Sequence, residues 1–194
     1  MNAQISKLTY CALALLLCLT CSDLRTPVMG QKQAASDKPW RELVSSEGRF
    51  RVLLPDTPNE MFMPINTQFI HTDVRVFAVT STVAFYAVVF GDFTTEAPDA
   101  ETIRAAFDNG RDRAISEGKL ILISEKDIST AKAPAREYVM DDGAFVFRTR
   151  VYFVKGRMYQ TVFGGPGLRG MAAPMVQYYD GLAAKFLNSF KIEG

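Results

Sequence analysis

The chain has 194 residues, 48 % of them hydrophobic and 22 % charged, with 22 basic against 21 acidic side chains. That mix suits one folded domain of ordinary globular composition, and a charge this balanced gives no general attraction for nucleic acid and no polybasic membrane patch. All three cysteines (Cys11, Cys18, Cys21) fall in the opening segment and His71 is the sole histidine, which excludes a disulfide scaffold, a Cys/His zinc site and a haem attachment motif from the main body.

At the N-terminus, Lys7 precedes an apolar run from Leu8 to Thr20 that closes on Cys21. A basic residue before a short apolar run is the layout of a secretory signal peptide. The run is shorter than the roughly 20 apolar residues a spanning helix needs. Residues 1–21 are therefore expected to direct export to the cell envelope. Residues 22–39, rich in Gln, Ala, Ser, Lys and Pro, are expected to form a flexible tether. Losing Lys7 with the signal leaves basic and acidic residues in balance.

A single domain is expected over 40–194. Gly48 to Pro55 reads as a short apolar strand ended by Pro55 and Pro58. Met61–His71 and Val74–Thr80 read as two strands around a His71-Thr72-Asp73 turn, and Thr82–Phe90 is apolar on both faces, as a covered central strand is. Asp99 is placed to cap a helix to about Glu117, with Ile103, Phe107, Gly110 and Ala114 as its buried stripe. Its other face carries Glu101, Arg104, Asp108, Arg111 and Asp112, the spacing of a solvated surface.

Four more strands follow: Lys119–Ile128, Ala135–Met140, Gly143–Val154 and Arg157–Gly164. Asp142-Gly143 and Lys155-Gly156 are hairpin-type turns, so the last three of these strands should form an antiparallel meander. Pro174 suits the start of a closing helix, with Met175, Tyr178, Leu182 and Phe186 along one side. Hairpins interrupted by helices predict an α+β domain: an antiparallel sheet of about seven to eight strands with helices packed on its faces.

Three short motifs stand out: Gly48-x-Phe50-x-Val52-x-x-Pro55, Gly156-Arg157-Met158-Tyr159, and Phe186-Leu187-Asn188-Ser189-Phe190. Together they resemble the PsbP-like superfamily, over roughly residues 40 to 194. The resemblance implies an α/β/α sandwich and a habit of acting as an accessory or adaptor that docks onto other proteins. No catalytic residue carries over from it, and no cofactor is implied. The photosynthetic branch usually has a tryptophan soon after the first-strand proline. Asp56-Thr57-Pro58 follows Pro55 here, which argues against a photosystem role. The N-terminus in turn resembles the bacterial lipoprotein signal, which implies lipid attachment at Cys21 and a chain tethered to a membrane rather than crossing it. Thr20 stands where that signal favours Gly, Ala or Ser, and Cys18 fits it less well. The other reading is an ordinary signal peptide cut after Thr20.

Most motifs that could carry chemistry read better as structure. Gly165-Pro166-Gly167-Leu168-Arg169-Gly170 matches GxGxxG, but no parallel strand follows to close a βαβ unit. A solitary His71 in a predicted turn, with no GxSxG, does not assemble a hydrolase triad. Asp141-Asp142 before Gly143 is turn chemistry, with too few ligands for a calcium loop.

On the strand Gly143–Val154, Phe145, Phe147, Thr149, Val151 and Phe153 should face the core, and Arg148, Arg150 and Tyr152 the other way. Arg136 and Tyr138 alternate together on the neighbouring strand. If both sets share a face they form an arginine–tyrosine patch of the kind enriched at protein interfaces. The bland alternative is an ordinary sheet face with the arginines paired to Glu125, Asp127 or Glu137.

The expected function is thus a non-catalytic adaptor, exported and lipid-anchored, that binds another envelope protein. A small-ligand module with a pocket between sheet and helix, lined by Phe107, Tyr178 or Tyr179, is the alternative. A hydrolase using buried carboxylates alone is the third.

Overall fold

Alternation along the strands sends side chains into one of two buried layers, and that parity builds the domain. The computed structural model describes residues 39–66, 71–93 and 98–193. Strands β1 (Arg41–Ser45), β2 (Phe50–Leu54), β3 (Asn59–Asn66), β4 (His71–Thr80) and β5 (Phe85–Asp92) precede helix α1 (Ala100–Gly118). After it come β6 (Ile121–Asp127), β7 (Ala135–Asp141), β8 (Phe145–Val154), β9 (Arg157–Pro166), helix α2 (Ala173–Ser189) and the short β10 (Lys191–Ile192). The fold is α+β, as the strand–helix order predicts.

The strands divide between two antiparallel sheets. One has seven strands in the order β3-β4-β5-β9-β8-β7-β6, and the other three in the order β1-β2-β10. The expected first strand therefore lies outside the main sheet, and β1 and β10 join it there. Both flanking strands are short, five and two residues, which leaves little period-2 signal to read. The turn expected at His71-Thr72-Asp73 is instead the start of β4, where His71 pairs with Asn66. Residues 67–70, between the two strands, lie outside the described residues.

Central strand β5 is buried on both faces, as its sequence predicts. Phe85, Ala87 and Val89 enter the layer under α1, while Tyr86, Val88 and Phe90 enter the layer under α2 and the small sheet. The α1 layer is largely aliphatic, and the opposite layer is dense with rings. Phe50, wholly buried, has its ring centroid 5.8 Å from Phe77, 5.8 Å from Phe90 and 5.5 Å from Phe190. Tyr86 makes edge contacts at 5.5 Å with both Phe163 and Phe186.

The helices follow their sequence signals with two corrections: of the stripe expected on α1, Ile103, Phe107 and Ala114 are buried, together with Ala106, while Gly110 is only half-buried. Asp99 caps α1, accepting a bond from the Thr102 N–H at 2.7 Å. That bond holds its carboxyl below the ordinary carboxylate range. In α2 the buried positions are Tyr179, Ala183, Phe186 and Leu187. Met175 and Tyr178, expected on the buried side, are exposed, because packing against the ring-filled layer turns the helix by about one position relative to the sequence stripe. Between β8 and β9, Lys155 (φ 50°) and Gly156 (φ 77°) are both left-handed, the two-residue turn that matches strand twist.

Gly48 and Thr161 mark the tightest and the least satisfied positions of the ring-filled layer. A Cβ on Gly48 would sit 2.5 Å from the Phe50 ring. The Thr161 hydroxyl is fully buried with no hydrogen-bond partner in the structure. In urea unfolding, Gly48→Ala is expected to lose about 1–3 kcal/mol by overpacking. Thr161→Val is expected to match or exceed the native chain, because an unsatisfied buried hydroxyl stabilises nothing.

Candidate functional site

The strand register decides the arginine–tyrosine patch. Cross-strand partners share a face, and β7 pairs with β8 as Arg136↔Val151, Glu137↔Arg150, Tyr138↔Thr149 and Val139↔Arg148. Arg136 and Tyr138 therefore lie on the α1 side of the sheet, and Arg148, Arg150 and Tyr152 on the α2 side. The five residues do not form one patch. A one-residue difference in register would have joined them, and nothing in either strand alone reveals it.

Each set has local partners. Tyr138 is buried, donates to the Phe107 carbonyl at 3.3 Å, and has its phenol pushed up to about 12 by burial. Arg136 reaches Asp108 at 2.5 Å and Glu125 at 2.7 Å. Arg111 joins the same carboxylates, at 3.1 Å and 2.8 Å, and Asp112 at 2.8 Å. Asp108 and Arg111, read from the sequence as solvated helix charges, thus tie α1 to β6 and β7.

On the other face, Arg150 bonds Glu137 at 2.6 Å and the Asn188 side-chain oxygen at 2.9 Å. Arg148 pairs with Asp180. Both arginines therefore fasten α2 to β8. The Tyr152 ring packs on Phe190 at 5.5 Å, and burial raises its phenol. Pairing of Arg136 with Glu125 and Arg150 with Glu137 is what the bland alternative expected.

Beyond α2, the α2 side of the sheet ends on β7 and edge strand β6. Ile121 (65 % exposed) and Ile123 (59 % exposed) stand there, next to the half-buried Val139. A register shift between Leu122 and Ser124 lies at Ile123. Sequence reading missed these two isoleucines, although four apolar residues in a row, Leu120 to Ile123, before Ser-Glu-Lys-Asp are a usable signal. On the opposite edge, the exposed Phe62 lies under the Arg75 guanidinium at 4.5 Å.

Between α1 and the sheet lies a cavity of about 30 Å³. Helix α1 contributes only Ile103 and Phe107 as large buried side chains, and its following turns present Gly110 and Ala114. The shortfall in volume leaves the space. Phe107 lines it as expected, but Tyr178 does not, and Tyr179 belongs to the opposite layer.

The remaining motifs take structural places. Asp142 accepts bonds from Ala144 N–H (2.8 Å) and Phe145 N–H (2.7 Å), closing its turn. The glycine-rich stretch joins β9 to α2, and β10 then runs antiparallel to β2 in the other sheet, so no βαβ unit exists. Cys21 and the expected tether lie outside the described residues. Among the described residues, no group of three or more His, Cys, Asp and Glu is placed to hold a metal ion, and no helix is long and apolar enough to cross a membrane.

No protein-family model and no curated protein matches the sequence. Solved structures do. The solution structure of cyanobacterial PsbP (CyanoP) from Synechocystis sp. PCC 6803 superposes with a TM-score of 0.52 at 12 % identity, covering 84 % of this chain and 98 % of that one. A protein of unknown function from Pseudomonas aeruginosa, PA94, aligns at 13 % identity over 75 % of this chain and 94 % of that one, with a TM-score of 0.37 that carries no argument. At these identities the likeness to CyanoP shows the fold alone: the domain has a PsbP-like α+β architecture.

Alkaline titration checks the burial of Tyr138. A phenol raised in the folded state holds its proton after the unfolded chain has released its own. Folding stability is therefore expected to be complete below pH about 10 and to fall as pH rises towards about 12. Tyr86, Tyr152, Tyr159 and Tyr179, also raised by burial, add to that decline, so Tyr138→Phe should lessen the slope of pH-dependent urea midpoints without removing it, and an unchanged slope would place the titration in the other four.

Proposed function

We propose that this chain is an exported, lipid-anchored envelope protein that acts as a non-catalytic adaptor and binds another protein along the β6 edge. The observation that carries the reading is the pair of exposed isoleucines, Ile121 and Ile123, on the last strand of the seven-stranded sheet. An edge strand offers unpaired backbone groups to a second chain, and alternate apolar side chains give such pairing its specificity. Natural edges are commonly blunted by charge, and Glu125, Lys126 and Asp127 do this for the rest of β6. The apolar start of the strand is left as the contact.

The docking habit implied by the PsbP-like resemblance supports the same reading. Export and anchoring rest on the Lys7, Leu8–Thr20 and Cys21 layout. Because Arg148 and Arg150 are engaged with α2 and β7, they act on this surface by holding its neighbours in place.

Two measurements test the proposal. In cells fed an alkyne fatty acid, the full chain is expected to take up label and Cys21→Ser to lose it; an unlabelled native chain removes the anchor. A photocrosslinker at Ile123 is expected to trap one envelope protein in native membranes, with the yield at least tenfold lower in Ile121→Lys. A crosslinker at Arg51, on the small sheet, is the control. Equal yields at both positions, or none at either, would overturn the β6 surface.

A further inference from the structure

Gly110 costs α1 stability and no close contact requires it. A glycine inside a helix is less favourable than alanine, and a Cβ built there meets nothing within 4 Å. Its place in the fold is at the cavity between α1 and the sheet, beside Arg111. A side chain larger than hydrogen would project into that space.

The floor of the cavity adds a second, independent observation. Gln160 of β9 is 8 % exposed, lines the cavity, and its side-chain oxygen has no hydrogen-bond partner in the structure. An unmet acceptor in a buried site is destabilising, so a donor that reaches it is favoured. The surrounding walls are mostly apolar, from Phe107, Met140, Val151 and Met158. A second cavity of about 10 Å³ on the same side of the sheet shares Met158 and Gln160 as lining residues. Both partitions are long, flexible side chains, and methionine in particular repacks readily.

We infer that the cavity beneath Gly110 is a binding site for a small, neutral, mostly apolar molecule that donates one hydrogen bond to the Gln160 Oε1 atom. Neutrality follows from the mostly apolar walls and from Arg111, the charged lining residue, whose guanidinium is already paired with Asp108, Asp112 and Glu125, so a charge buried here would find no free partner on it. The donor requirement follows from the acceptor. Size follows from the volume: about 30 Å³ of partly open space takes the hydroxyl end of a short-chain alcohol. A larger molecule enters by displacing Met158 towards the second cavity. This site lies on the α1 side of the sheet and is independent of the β6 edge proposed for protein docking.

The test is a titration of the full chain with 1-propanol and phenol, read by NMR of methyl-labelled methionine. Saturable shifts at Met140 and Met158 are expected, with a Kd on the order of 1 mM for so few heavy atoms. An ether of the same size, lacking the donor, is expected to bind at least tenfold more weakly. Gly110→Leu should abolish the shifts, because its side chain occupies the space. Gln160→Met, which keeps the length and removes the acceptor, should weaken both probes at least tenfold. Ordered water alone, seen as an absence of saturable shifts with either probe, would overturn the site. So would shifts that persist unchanged in Gly110→Leu, or an ether that binds as well as the alcohol.

Discussion

The ring of Phe50 holds the two sheets together. The three-stranded and seven-stranded sheets share no ladder, so their association rests on side-chain packing across one layer and on Arg75 and Arg157, which reach from the large sheet to the Glu47 carboxylate and carbonyl in the β1–β2 turn. Phe50 meets Phe77 and Phe90 of the large sheet and Phe190 at the end of α2. Rings at these spacings contribute about 0.5–1.5 kcal/mol per pair beyond the area they bury. Gly48 lies against this ring, and its N–H bonds the Ser45 hydroxyl at 3.0 Å. The chain can turn from β1 into β2 there only because no Cβ competes with the ring.

The same layer explains why three motifs far apart in sequence occur together. Gly48 and Phe50 supply the centre. Tyr159, from Gly156-Arg157-Met158-Tyr159, packs 6.0 Å from Phe190 and 6.2 Å from Phe90. In Phe186-Leu187-Asn188-Ser189-Phe190, the two phenylalanines fill the layer. The Ser189 hydroxyl accepts from the Leu53 N–H at 2.9 Å and donates to the Phe186 carbonyl at 2.7 Å. Asn188 takes Arg150. These motifs are the fold's own fastening, which is why they indicate an architecture and leave the function to other surfaces.

The two sides of the large sheet are accordingly unlike. The α2 side is closed by rings and by arginines that bind α2 down, up to the point where the helix ends its cover over β7 and β6. The α1 side is roofed by a helix whose buried face is small after Phe107. Its gap is bridged at the rim by the Asp108, Arg111, Glu125 and Arg136 network. The surface proposed for docking and the cavity proposed for a ligand therefore arise from one cause: each helix leaves a part of the sheet unfilled, one beyond its flank and the other beneath its Gly110.

Much of this was legible along the chain. The doubly apolar run at β5, the Asp99 cap, the Lys155-Gly156 turn and the facing of Phe147 and Val151 are local or period-2 properties, and the sequence by itself determined them. The third dimension decided the rest. Whether Arg136 stands beside Arg150 or behind it depends on which residue of β7 meets which of β8, a choice made by core filling across the whole sheet. The exposure of Ile121 and Ile123 depends on where α2 ends its cover of the sheet, and the cavity on a comparison of volumes between α1 and strands distant from it in sequence. Alternation and capping are written in neighbouring residues. Register and packing volume belong to pairs of elements and were fixed only when those elements met.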